Sequence, residues 1–363
     1  MTEPAILILT TVHQADDTRI RERLIRSLHG LGDITYASGE PGPSDRSGFT
    51  WVPLAGRRLG RNLSAVRLLA GRRWDLVILH DPETIPAGAL ARRLRGATVV
   101  FDVHEDLPAQ IEYKDRIPRW FKPLFRLLAR RLLAMAERRL VLTLAEPGYG
   151  RLFTSQHPVF PNHPRSEQYP DPRPAGDGRA IYVGDVTRAR GAEDALAACG
   201  AVDVHLLVVG RIDDELAGIL RRVAAHQGLG LTITGPMSNP EGMERVSSSS
   251  VGLSPLRDVG NYRHSLPTKT LEYLALGVPV VATDLPGTRS VLAGLDAVWL
   301  VPPGDPAAMG SAITEAIRPE AKEAAVEQAP RIRERFRWPE AEVRSFYSDL
   351  LGRRESPDPN RGA

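Results

Sequence analysis

Ser265-Leu266-Pro267-Thr268-Lys269-Thr270-Leu271-Glu272-Tyr273-Leu274-Ala275-Leu276-Gly277-Val278-Pro279-Val280-Val281-Ala282-Thr283 reads as a capped helix delivered straight into a buried strand. Ser265 has the side chain of an N-cap, and Pro267 is tolerated in a first helical turn. Leu271, Leu274 and Ala275 share the face that turns to a core, and Gly277 can take the left-handed conformation that stops the helix. The apolar run from Val278 to Ala282 has the length and β-branching of a strand buried on both faces, as parallel strands are. Lys269 and Glu272 stand three apart, so both charges project from one side of the helix. A cation in the first turn, beside the helix dipole, can hold a phosphate, and a carboxylate one turn on can accept hydrogen bonds from two neighbouring ribose hydroxyls. The competing reading is a surface ion pair, worth under about 1 kcal/mol.

The same rhythm extends in both directions. Short Val- and Ile-rich runs recur at Ala180 to Val183, Val204 to Val209, Leu229 to Thr234, Val251 to Ser254 and Ala297 to Val301. In the first half they fall at Ala5 to Leu9, Asp75 to His80, Ala97 to Phe101 and Leu140 to Leu144. Amphipathic stretches separate them, so the chain is α/β, with two doubly wound, Rossmann-like parallel sheets. The Pro- and Gly-rich stretch 165–178 can continue neither helix nor strand and is expected as a linker. The expected domains are therefore 1–164 and 179–336, with a C-terminal helix over 337–352 returning to the first domain and a disordered tail over 353–363. A cleft between the two domains is the expected binding site.

Composition agrees with this and narrows the rest. The 363 residues are 42% apolar and 25% charged, with 47 Lys or Arg against 44 Asp or Glu, a net charge of only +3. One cysteine, Cys199, excludes a disulfide framework and fits a reducing compartment. The start carries an acid, Glu3, where a signal peptide needs basic residues, and no apolar run is long enough to span a bilayer. A cytoplasmic protein is the default expectation. Basic charge is almost all arginine while Ala, Gly and Pro abound, which suggests a bacterial source with a GC-rich genome.

Strand ends carry the other candidate chemistry. After the strand at Ala180 come Gly184-Asp185-Val186-Thr187-Arg188-Ala189-Arg190-Gly191, and strand ends of this kind face ligand crevices in open α/β sheets. Arg188 or Arg190 could clamp a diphosphate through forked hydrogen bonds, or both could be solvated loop residues. In the first half, three strands end in histidine or acid: His13, Asp16, Asp17 and Arg19, then His80 and Asp81, then His104, Glu105 and Asp106. These suggest one rim of a site, although Asp16 and Asp17 could simply cap the helix that begins near Arg19.

Taken together, these motifs resemble the retaining glycosyltransferases of family 4, which have the GT-B architecture of two Rossmann-like domains facing a deep cleft. The likeness rests on the Gly184 to Gly191 loop, Val209-Gly210-Arg211, the carboxylate ahead of Ala275 to Val281, Val301-Pro302-Pro303-Gly304-Asp305-Pro306, and Phe336-Arg337-Trp338. The resemblance implies a hexosyltransferase that moves a sugar from a nucleotide diphosphate sugar, UDP- or GDP-linked, to a hydroxyl with retention. The acceptor would be a saccharide, a lipid-linked molecule or a natural product. Glu272 matches the second glutamate of the family's Glu-x7-Glu motif, which binds the ribose, while His264 stands in place of the first. Asp185 stands where an arginine often follows the glycine. The implied donor site is Gly184, Arg188, Arg190, Arg211, the turn Gly235, Pro236 and Met237, then His264, Leu266, Pro267, Thr268, Lys269 and Glu272. The catalytic set is His104, Arg190 and Lys269, with His104 near the donor sugar. Acceptor contacts fall to His13, Asp16, Arg19, His80, Glu105 and Asp106, and Thr10 to His13 replaces the usual glycine pair.

Other classes fit less well. No Asp-x-Asp pair and no zinc-type histidine spacing occurs, so no metal or other cofactor is expected. No Gly-x-Gly-x-x-Gly follows a strand and no Walker loop exists, which disfavours an oxidoreductase and a nucleotide triphosphatase. A nucleotide-sugar epimerase of the same architecture, or a non-catalytic module that binds a nucleotide sugar, remains open. Arginines are spread without interleaved aromatics, so nucleic acid is not an expected partner. The exception is 116–133, which mixes Trp120, Phe121, Phe125 and leucines with basic residues. It reads either as a domain helix with its leucines packed on the sheet, or as a helix lying on the inner face of an anionic membrane.

Overall fold

The structure, a computed structural model, describes residues 3–112, 117–260 and 262–352, with Gln168 described in its backbone alone. The expected tail over 353–363, the segment 113–116 and Asn261 lie outside the described residues. The chain divides into two compact units: one holds 1–162 together with the stretch from Trp338 onward, the other His163–Arg337.

In the first unit, β1 (Ala5–Leu9) is followed by α1, wide-wound over Arg19–Ile25 and α-helical over Arg26–Leu28. Then come β2 (Asp33–Ser38), β3 (Thr50–Pro53), α2 (Arg58–Gly71), β4 (Leu76–Leu79), α3 (Ile85–Arg95) and β5 (Thr98–Val103). The short helix α4 (Leu107–Glu112), the long α5 (Lys122–Arg139) and β6 (Val141–Leu144) complete it. All pairs are parallel, in the order β3-β2-β1-β4-β5-β6. The chain starts in the middle, winds outward, and returns to the other side of β1, so the switch point lies between β1 and β4. Their carboxyl ends carry Thr10 to His13 and His80 to Asp81.

Two of these strands, β2 and β3, were not expected from the sequence. Asp33-Ile-Thr-Tyr-Ala-Ser38 mixes polar residues into its run, and Thr50-Trp-Val-Pro53 is an edge strand, where a proline does no harm. The 116–133 stretch also departs from the packed-leucine reading. Ala129, Leu133 and Ala136 are buried, but Leu124, Leu127 and Leu128 are about half exposed, at 49%, 48% and 50%.

The second unit runs β7 (Ala180–Val183), α6 (Ala192–Ala201), β8 (Leu206–Val209), α7 (Asp214–Gln227), β9 (Leu231–Ile233), α8 (Asn239–Ser248) and β10 (Val251–Ser254). It continues through α9 (Thr268–Ala275), β11 (Val280–Thr283), α10 (Pro286–Leu292), β12 (Val298–Val301), α11 (Pro306–Ala316) and α12 (Pro319–Arg335). The sheet order, β12-β11-β10-β7-β8-β9, repeats that of the first unit, and the switch point lies between β7 and β10. Leu271, Leu274 and Ala275 of α9 are fully buried, and Gly277 takes φ +67°.

The last helix, α13 (Glu340–Gly352), belongs to the first unit. Trp338, Val343 and Tyr347 are buried in the core formed by Ile6, Ile8, Leu28 and Leu76, and Trp338 Nε1 donates to Ser27 Oγ at 2.9 Å.

Candidate functional site

Helix α9 is fixed to its sheet by one tyrosine. The Tyr273 ring packs where a Cβ on Gly252 would stand, 2.1 Å from the ring, so only glycine at that point of β10 admits it. Its Oη accepts the Val183 N–H at 2.9 Å, tying the helix to the end of β7. The helix begins at Thr268, not at a Ser265 cap: Pro267 is the cap residue, at φ −68° and ψ 110°, and its ring bars the preceding Leu266 from helical geometry. Leu266, Pro267 and Thr268 are all half-buried.

In the first turn of the helix, Lys269 extends over the Tyr182 ring of β7, its Nζ 3.8 Å from the ring centre. The ammonium is buried and makes no hydrogen bond. Burial, reinforced by the charge of Arg190, holds its pKa well below the ordinary lysine value, with Glu272 and Asp185 offsetting only part. It is therefore no surface ion pair. Glu272 is half-buried and accepts a hydrogen bond from Tyr169 Oη at 3.4 Å.

The Gly184 loop curls back over the same region. Tyr182 Oη donates to the Arg190 carbonyl at 2.8 Å, Thr187 accepts from the Arg190 amide, and Arg190 Nε reaches Tyr262 Oη at 3.3 Å. Lys269, Tyr182 and Arg190 thus form one cationic cluster on an aromatic floor, at the carboxyl end of β7. Arg188 instead pairs with Glu193 at 2.7 Å on the exposed rim, and Arg211 pairs with Asp185 at 2.7 Å. Gly184 has φ +109° and Gly235 φ +77°, just beyond the ends of β7 and of the edge strand β9, with β8 between them. Pro236 is exposed and Met237 half-buried ahead of α8. His264 is exposed in the turn before α9.

That turn has a support the sequence reading missed. A Cβ on Gly287, in the first turn of α10, would stand 2.6 Å from the His264 carbonyl carbon and 2.7 Å from Ser265 O, and the Gly287 N–H donates to Arg263 O at 2.9 Å. Tyr182, Tyr169 and Tyr262 were missed as well; only the contacts of the folded loop single them out.

In the first unit, the β1 and β5 loops bring His13 and His104 together, Nε2 to Nε2 at 2.6 Å. His104 Nδ1 lies 3.0 Å from the Asp102 carbonyl, which can only accept, so Nδ1 carries a hydrogen and the bare Nε2 accepts from His13. His13 Nδ1 in turn faces Asp17 at 3.3 Å. The electrostatics agree. Burial opposes charge on His13, but the hydrogen bond and charge of Asp17, with Asp81 and Glu105, outweigh it and raise its pKa to about 9. Burial and the neighbouring His13 charge lower that of His104. At neutral pH the pair holds its proton on His13.

His80 is 1% exposed and sits 3.4 Å from Asp102. A cavity of about 230 Å³ is lined by His13, His80, Asp81, His104 and Glu105, with Leu133 of α5 on its apolar wall. Asp81 anchors the β1 loop: its Oδ2 accepts from Thr10 Oγ1 at 2.8 Å and from the Thr11 amide at 2.6 Å. His80, Asp102 and His104 offer ligand atoms within 4.8 Å of one another. The Asp102 oxygens, however, already accept two hydrogen bonds from Arg19 at 2.8 Å and one from Thr143 at 2.8 Å, so protein donors occupy the carboxylate a cation would need.

Three expected acceptor residues are committed elsewhere. Arg19 is 6% exposed, its fork spent on Asp102 and its Nη1 on Phe160 O, so it is a buried structural cation. Asp16 is exposed and holds Arg21 and Ser44. Asp106 caps α4 through the Ala109 amide and pairs with Arg151. Asp17 accepts from the Arg19 and Ile20 amides, the capping role weighed for it.

Comparison with known proteins bears on both units. Residues 178–318 match the family model described as "Glycosyl transferases group 1", and residues 14–151 match "Glycosyl transferase 4-like domain". A phosphatidyl-myo-inositol mannosyltransferase of Mycobacterium leprae is 34% identical over 116 residues, which span 32% of this chain and 29% of that protein. Among solved structures, sucrose-phosphate synthase from Thermosynechococcus elongatus superposes with a TM-score of 0.75 at 16% identity, covering 98% of this chain and 100% of that one. Anabaena HepE in complex with UDP and glucose gives a TM-score of 0.74 at 13% identity, covering 96% and 100%.

Proposed function

Since the chain belongs to the group 1, family 4 glycosyltransferases and shares their GT-B fold, we propose that it transfers a hexose from a UDP- or GDP-sugar to a hydroxyl, with retention at the anomeric carbon. The observation that carries this reading is the buried ammonium of Lys269, held without a hydrogen-bond partner at the start of α9. A buried cation without a hydrogen-bond partner is costly, and a diphosphate oxygen is the group that would relieve it.

In the proposed reaction the bond between the anomeric carbon and the diphosphate oxygen breaks, the acceptor oxygen bonds to that carbon on the same face, and the acceptor hydroxyl passes its proton to the departing diphosphate oxygen. Negative charge grows on the departing oxygen, so Lys269, Arg190 and the start of α9, already fixed in place by Tyr182 and Tyr273, lower the barrier without reorganising. Glu272 would grip the ribose hydroxyls, with His264 toward the sugar. In the first unit, His80, His104 and Glu105 line the cavity in which an acceptor hydroxyl would bind, with His104 in the catalytic role. This scheme assigns the charge of the leaving group to protein cations and calls on no metal or other cofactor. The acceptor classes are a saccharide, a lipid-linked molecule or a natural product, and the compartment is the bacterial cytoplasm, where nucleotide sugars are made.

The test is kinetic. With UDP- and GDP-hexoses as donors, Lys269→Ala should lose about two to three decades of turnover. Glu272→Ala should act mainly on donor KM. Wild-type turnover and donor KM in both variants would end this reading.

A further inference from the structure

We propose that the outer surface of α2, α3 and the 118–139 segment is a docking face for an anionic lipid bilayer. These helices cover the same side of the first unit's sheet: Ala65 and Leu69 of α2, Ile85 and Ala91 of α3, and Leu133 and Ala136 of α5 enter one core cluster. Helix α3 lies between α2 and α5 and packs against both.

What these helices turn away from the core is unusual in two respects. Among the described residues, thirteen large hydrophobic side chains are exposed, and eleven of them sit here: three on α2, two on α3 and six between Trp120 and Leu128. Trp120 is 74% exposed and stacks on Phe121 with ring centres 3.6 Å apart. Exposed apolar side chains gathered on one side of a unit mark an interaction site, whereas leucines scattered over the whole surface do not. The second feature is charge. Helices α2, α3 and α5 carry twelve Arg or Lys and a single acid, Glu137, in a chain whose net charge is only +3. Even Glu137 is withdrawn from the surface, accepting from the Thr154 and Ser155 amides at 2.8 Å.

Apolar side chains interleaved with cations and almost no acid match the boundary of an anionic membrane, where acyl chains lie under phosphates. Long arginine side chains can lie along the leucines and reach the headgroups, and tryptophan favours that depth. A second copy of the chain would bring the same positive excess against itself. Nucleic acid would meet the arginines but leave the outward leucines in water. The inference does not rest on the proposed transfer reaction, since it concerns a surface and not the site.

Flotation of the full chain with vesicles of phosphatidylcholine, alone or mixed with phosphatidylglycerol, tests it. Two variants separate the contributions: Leu124→Asp with Leu128→Asp, and Arg119→Glu with Arg130→Glu and Arg131→Glu. All five positions are exposed, so thermal midpoints should match wild type. Wild type should float with the anionic vesicles only, less at high salt, and each variant should lower partitioning by about tenfold or more. Absence of flotation, or equal flotation of wild type and both variants, overturns the proposal. So does retention on duplex DNA that the leucine variant leaves unchanged, or a dimer in sedimentation that this variant abolishes.

Discussion

Lys269 Nζ stands 3.8 Å above the centre of the Tyr182 ring, buried and without a hydrogen bond. The ring's negative face compensates the charge more weakly than a hydrogen-bonded carboxylate would, and the charges of Glu272 and Asp185 offset only part of the burial penalty. Lys269→Met keeps the stem and removes the charge, so the free protein should gain stability, on the order of 1 kcal/mol. The same variant should lose the rise in thermal midpoint that UDP or GDP gives wild type. Thermal scans with and without nucleotide check both halves; a destabilised variant that still responds to nucleotide contradicts them.

A pH effect follows from the same group. Because burial and the charge of Arg190 hold the Lys269 pKa well below its ordinary value, an arriving phosphate must raise it, and binding should take up a proton wherever the pH lies between the free and bound values. Nucleotide affinity should therefore fall as pH rises. Titration calorimetry in two buffers of different ionisation enthalpy reads the proton directly, and identical apparent heats would refute the linkage.

The His13–Asp17 pair predicts a second pH dependence. His13 titrates at about 9 in the folded chain, above its ordinary 6.5, so its stabilisation is full below 6.5 and fades as pH rises through about 9. Asp17 is held below its ordinary 3.8, so its share is full above that value and is lost as pH falls. Asp17→Asn should bring the His13 midpoint down toward 6.5, as followed by NMR of the imidazole protons. An unmoved midpoint would show that Asp17 does not hold the charge.

Arg19 separates a structural role from a binding one. Removing it leaves Asp102 buried and ionised without its partner, so Arg19→Ala should cost about 3–5 kcal/mol in denaturant unfolding. A residue that only touched an acceptor would change stability little, so an unchanged unfolding midpoint would return Arg19 to the site.

Gly287 positions the turn before α9 by what it lacks. A methyl group there meets the His264 carbonyl carbon at 2.6 Å, and backbone must move to admit it. Gly287→Ala should weaken donor binding by about tenfold while unfolding stays cooperative. Unaltered donor KM would show that the 263–265 turn takes no part in binding.

Much of this architecture could be read from the sequence because parallel strands are buried on both faces and announce themselves as Val- and Ile-rich runs. All six strands of the second unit were visible for that reason, while β2 and β3 were hidden by polar residues and an edge proline. Lys269 and Glu272 were legible because helical spacing places them together. His13 and His104 were visible only as candidates: they lie ninety-one positions apart, and their 2.6 Å contact depends on how β1 and β5 are registered through β4. The burial of Arg19 against Asp102 was not legible because nothing local tells an arginine that lines a site from one that neutralises a buried aspartate. Gly287 and Gly252 left no signal, since a glycine's importance resides in the neighbour that occupies its missing side chain.

Helix α13 has a consequence for biosynthesis. Trp338 and Tyr347 complete a core begun by Ile6 and Ile8, although the whole of the other unit is encoded between them. On the ribosome, the N-terminal unit therefore cannot complete this core, which α1 covers only in part, until the segment 163–337 has been made. The unit translated earliest is closed by the segment translated last among the described residues.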